Sequence, residues 1–77
     1  MNPLDEIANL MVSSMPPEKI LAYEMPQQLI ERYVSLVDKE KNNQISEEDK
    51  IELDGLLVVN HVISMAKLMA VRKLAAA

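Results

Sequence analysis

Apolar residues recur at helical spacing in four stretches of the chain, and the first three are closed off by proline or asparagine. Leu4, Ile7, Leu10 and Met11 mark the first. Asn2 followed by Pro3 suits a helix entry, because the asparagine oxygen can accept from the free N–H groups of the first turn and proline sacrifices no bond there. Asp5 and Glu6 follow where the helix dipole favours negative charge. Ser13 and Ser14 weaken this helix and Pro16-Pro17 ends it, which predicts an N-terminal helix within residues 1–16. Residues 17–25 carry Ile20, Leu21 and Tyr23 and predict a short helix before Pro26. Over 26–41, Leu29, Ile30, Tyr33, Val34, Leu36 and Val37 form an apolar stripe, while Gln27, Gln28, Glu31, Arg32 and Ser35 take the other side. Asn42-Asn43 then supplies a turn, since asparagine tolerates the left-handed backbone.

A long helix is predicted over 46–75. The Ser46 hydroxyl can accept from the third helical residue, and Asp49 at that position can reach back in a shortened capping box. Ile45 stands where a hydrophobic staple would pack on Lys50 or Ile51. Acids fill the first turns (Glu47, Glu48, Asp49, Glu52, Asp54) and bases the last (Lys67, Arg72, Lys73), as the dipole prefers. Gly55, inside the acidic half, implies either a close neighbour or a bend.

Between Leu56 and Val71 the only polar residues are Asn60, His61, Ser64 and Lys67, and they fall in one sector of the helical wheel. Val58, Val62, Met65 and Met69 follow heptad spacing, with Val59, Ile63, Ala66, Ala70 and Leu74 on an adjacent face. So wide an apolar circumference exceeds what two short helices cover, and exposed apolar patches of several hundred Å² mark contact sites. One face is expected to hold the chain's own helices and the other a second copy or a partner protein. The expected anchors are Leu56, Val59, Val62, Ile63, Met65, Ala66, Met69 and Val71. No membrane partner is expected, since the stretch falls short of the ~20 residues of a span and contains His61 and Lys67.

Composition sharpens this picture. The chain has 77 residues, one glycine, no cysteine, no phenylalanine, no tryptophan and a single histidine. Helix formers dominate, so the fold class expected is all-α, one helical domain made of a helical hairpin and one or two short N-terminal helices. A chain this short buries a modest fraction of its surface, and neither disulfides nor a zinc site can compensate, which leaves oligomerisation as the expected remedy. The net charge of −4 argues against nucleic acid as a direct partner. No nucleophile–base pair or phosphate loop stands out, so no enzyme and no cofactor are expected. Met1 to Leu10 carries acids and lacks a basic start, so a cytoplasmic location is expected.

The stretch Asp38 to Asp49 supports two readings. It is a hairpin turn closed by a helix cap, or it is a degenerate calcium loop in which Asp38, Glu40, Asn42, Ser46 and Asp49 occupy coordinating slots. Against the second, Glu40 is long for its slot, Asn43 stands where glycine makes the sharp turn, and Asp49 replaces the bidentate glutamate that closes a calcium shell. A single calcium or magnesium module is therefore the alternative to an interaction protein or a purely architectural helical dimer.

Pro17-Glu18-Lys19-Ile20-Leu21-Ala22, the amphipathic run from Pro26 to Val37, Ile45-Ser46-Glu47-Glu48-Asp49, Glu52-Leu53-Asp54 and the stretch His61 to Lys67 together resemble a family of short bacterial proteins common in cyanobacteria. The resemblance covers about Pro17 to Lys73 and leaves Asn2 to Met15 outside. Related sequences place Gly and Thr where this chain has Asn43 and Gln44, a change that preserves the hairpin. Such families resemble small antitoxin-like partners encoded beside nucleases, which implies a protein-binding role and transfers no catalytic residue.

Overall fold

The computed structural model describes residues 2–77, so Met1, the first residue of the expected N-terminal helix, lies outside the described residues. Four helices account for 83% of the described residues: α1 (Pro3–Ser14), α2 (Pro17–Ala22), α3 (Gln27–Lys41) and α4 (Glu47–Ala76). No strand occurs among the described residues, and the fold is the all-α arrangement with a long C-terminal helix that the periodicity predicts. The chain divides into two compact units, one of Met1–Tyr23 with Val58–Ala77 and one of Glu24–Leu57.

In the first unit, α1 opens as expected: Asn2 Oδ1 accepts from the Leu4 N–H at 2.8 Å and Pro3 takes the first helical position. At its other end Ser13 and Ser14 donate back to carbonyls of the preceding turn, competing with the helix ladder. α2 stops at Ala22, earlier than expected, because the backbone turns extended at Tyr23 ahead of Pro26. Ala8, Val12, Ile20, Ala66 and Ala70 form the buried core, with Met11, Val62, Met65 and Met69 packed against it. Three of the five core residues are alanines, so backbones approach closely and the flexible methionines fill the remainder.

Two polar contacts fix the direction of α1 on α4. His61 Nε2 lies 3.7 Å from Asp5 Oδ1 near the start of α1, and Lys73 Nζ donates to the Val12 carbonyl at 3.2 Å near its end. The helices therefore run parallel. α1 has no base in its last turn, and Lys73 from α4 satisfies one of the orphan carbonyls there.

The second unit is a helical hairpin of α3 and the first turns of α4. Leu36 and Leu53 are its fully buried side chains. Asn43 adopts the left-handed conformation at φ 55°. The Gln44 N–H bonds to the Lys39 carbonyl at 2.8 Å and the Asn43 N–H to the Glu40 carbonyl at 3.1 Å, the paired bonds of a Schellman end. Ser46 then starts α4, its hydroxyl accepting from the Asp49 N–H at 3.1 Å. The reciprocal half of the expected capping box does not form. Asp49 turns to Arg32 and Lys39 instead, because charge-assisted bonds outcompete a stretched contact to a neutral N–H. A Cβ built on Gly55 meets nothing within 4 Å, so no close neighbour accounts for this glycine.

Candidate functional site

The geometry of α4 decides what is available for contact. Of its 30 residues only Leu53, Ala66 and Ala70 are buried. Among the expected anchors, Ala66 is fully enclosed by its own unit, so it supports the fold and presents nothing outward. Val62, Met65 and Met69 are half-buried against that same core. Leu56 is half-buried and belongs to the second unit. Ile63 is half-buried, whereas Val59 and Val71 are 47% and 51% exposed. Of the heptad stripe, Val62, Met65 and Met69 therefore pack against the core, while Val58 is exposed.

An open groove of about 450 Å³ runs along the first unit. Leu4, Ile7 and Met11 of α1 form one wall, Val58, Val59, Val62 and Ile63 of α4 the other, and Tyr23 closes it. Among the described residues that line it, Tyr23 alone carries a polar side-chain group. Such a cleft has the dimensions of a small-molecule site but lacks the convergent polar groups that orient a ligand. It suits the apolar ridge of a protein side-chain cluster. The groove brings together Val59, Val62 and Ile63 from the expected anchors and adds Leu4, Ile7, Met11, Tyr23 and Val58. These five are not legible as site residues in the sequence, because the pairing of α1 with α4 leaves no trace in either helix's periodicity.

Outside the groove, Leu68, Val71 and Leu74 of the same unit are also exposed, as is Leu57 in the second unit. By length and composition α4 can cross a membrane, with an 18-residue window of mean hydropathy 1.4, of which 11% is buried. Length alone therefore does not argue against a span, in contrast to the estimate from the apolar stretch.

The residues of the degenerate loop are engaged in the hairpin. Arg32 grips Glu52 with two bonds, Nε to Oε2 at 2.6 Å and Nη2 to Oε1 at 3.1 Å, and also reaches Asp49 Oδ1 at 3.0 Å. Lys39 Nζ donates to Asp49 Oδ2 at 3.3 Å, and Lys50 Nζ to Glu40 Oε2 at 2.6 Å. Asn42 donates from its side chain to the Asp38 carbonyl at 3.0 Å, and the Ser46 hydroxyl serves the cap. A cation at these positions would have to displace both lysines and the arginine. The Lys39 hydrogen bond, followed by the charges of Lys39 and Arg32, holds the Asp49 carboxyl below its ordinary range. The Arg32 hydrogen bond does the same for Glu52, and Glu40 raises the Lys50 ammonium. Among the described residues no group of three or more His, Cys, Asp or Glu is placed to hold a metal ion.

No protein-family model, no curated protein and no solved structure matches the chain.

Proposed function

We propose that this chain is a non-enzymatic, cytoplasmic protein–protein interaction module that self-associates through α4 and binds a partner protein through the apolar groove, in the manner of a small antitoxin-like inhibitor. The observation that carries the reading is the exposure of α4: a helix of 30 residues with three buried side chains leaves valines and leucines in water along its length. Covering them releases about 25 cal/mol per Å² of apolar area, enough to drive association once a partner of matching shape is present. The groove supports the second contact, because its walls are aliphatic and open. Asn60, His61, Ser64 and Lys67 favour a protein over a lipid as the covering surface, since protein partners can satisfy them.

The test is affinity capture from the source cell with the native chain and with Val59→Glu. The native chain is expected to retain a second protein that the variant loses, with helix content equal in both by circular dichroism. Equal capture by the two, or capture of nothing beyond the chain itself, contradicts the partner-binding half of the reading.

A further inference from the structure

We propose that the partner seated in the groove is an acidic amphipathic helix, an inference that rests on the partner-binding reading above and specifies the chemistry of the occupant. The groove belongs wholly to the unit of Met1–Tyr23 and Val58–Ala77. Two helices running side by side make its walls, and a cleft of that kind is filled by a third helix that sets aliphatic side chains at i, i+3, i+4 and i+7 between them. The polar side of that third helix then meets the charges that stand at the rim.

Along α4 those charges have one sign. Val59, Ile63 and Lys67 follow one another at intervals of four, so they form a single row on the helix, two lining residues and then a cation. From Val58 onward α4 carries Lys67, Arg72 and Lys73 and no acid. Lys73 is engaged with the Val12 carbonyl, whereas among the described residues neither Lys67 nor Arg72 forms an ion pair. The α1 wall leaves that sign unopposed. Its two acids, Asp5 and Glu6, stand roughly 100° or more around the helix from Leu4, Ile7 and Met11, and Asp5 lies against His61. A carboxylate on the partner, one turn beyond its last buried side chain, therefore meets Lys67. A basic helix would set cation against cation there, and a second copy of this part of α4 would bring Lys67 and Arg72 to the same rim.

The chain has no tryptophan, so a single tryptophan in a synthetic peptide reports binding by its fluorescence anisotropy. Three helical peptides share one aliphatic face and differ in a polar face of glutamate, glutamine or lysine. Each is titrated with the native chain, Lys67→Glu and the uncharged variant Val59→Gln at about 0.15 M salt, where exposed charges act over about 8 Å, and circular dichroism checks the helix content of the variants. The native chain is expected to bind glutamate, glutamine and lysine peptides in that order, each step about threefold, the strength of one partly exposed ion pair. Lys67→Glu should reverse the order, and Val59→Gln should lose all three. Equal binding of the three peptides that is lost in Val59→Gln overturns the acidic partner while the groove reading stands. Binding that Val59→Gln leaves unchanged, or no binding at all, overturns both. Without peptide, a mass by light scattering that falls in Val59→Gln assigns the groove to a second copy, and retention on vesicles of anionic lipid that the glutamate peptide fails to displace assigns it to a lipid surface. Either result overturns the inference.

Discussion

In the unit formed by Met1–Tyr23 and Val58–Ala77 the buried side chains are three alanines, a valine and an isoleucine, and the one lysine bonded there serves a backbone carbonyl. In Glu24–Leu57 two leucines are buried, and the hairpin is otherwise laced by Arg32, Lys39 and Lys50 against Asp49, Glu52 and Glu40. Nine of the chain's twelve acids lie in this second unit. The contrast shows two ways a short chain manages a small core. One unit brings backbones together over small residues and leaves apolar side chains outside, available for a partner. The other is tied by charges at its rim, although Val34 and Ile51 stand exposed on it as well. The proposed contacts draw on the first unit, whereas the charged side chains of the hairpin turn are engaged with one another.

The comparison can be broken most forcefully in the cores. Leu36→Ala should destabilise the hairpin by about 2–5 kcal/mol, the usual effect of emptying a buried leucine site. Ala66→Leu should act on the other unit by overpacking, at about 1–3 kcal/mol. Chemical denaturation followed by circular dichroism measures both, and residue-resolved hydrogen exchange shows which unit opens. If both substitutions loosen the two units equally, the distinction between them is lost.

Smaller effects sharpen it. Gly55→Ala should stabilise α4 by about 1 kcal/mol, since the added methyl meets open space and glycine is the poorer helix former. A loss of stability by thermal melting would show that the glycine is required. Asn43→Ala should cost about 1 kcal/mol at the left-handed position, and Asn43→Gly should restore or exceed the native value.

Acid should separate the units as well. Asp49 and Glu52 have carboxyl groups held below their ordinary range, so their contribution is fully present above the unfolded carboxylate values near pH 4 and is lost as pH falls through the lower folded values. Amides of the hairpin should lose protection in that window, and Arg32→Met should remove the part due to Glu52 and leave the part that Lys39 gives Asp49. These groups are substantially exposed, so the effect should be the smallest of the series and should weaken in salt.

Local chemistry was legible along the chain, and long-range pairing was not. Asn2, the paired prolines, Asn43 and Ser46 each act within a few residues, and each does what its side chain or ring allows. The choice of which apolar stripe of α4 is covered depends on where α1 lands, and Val62, Met65 and Ala66 look no different in sequence from Val59 and Val71. In the sequence Arg32 is a plain polar position on the outer face of α3, because its partners Asp49 and Glu52 lie far along the chain. For the same reason Asp49 fits in sequence a cap box that it does not complete in the fold.

The central claim is that the exposed face of α4 is covered by a second copy in solution. Light scattering of the native chain at micromolar concentration tests it directly. Twice the chain mass of 8.7 kDa is expected, falling to a single chain in Leu68→Glu with helix content preserved. A folded species of 8.7 kDa that stays monomeric as concentration rises would contradict it.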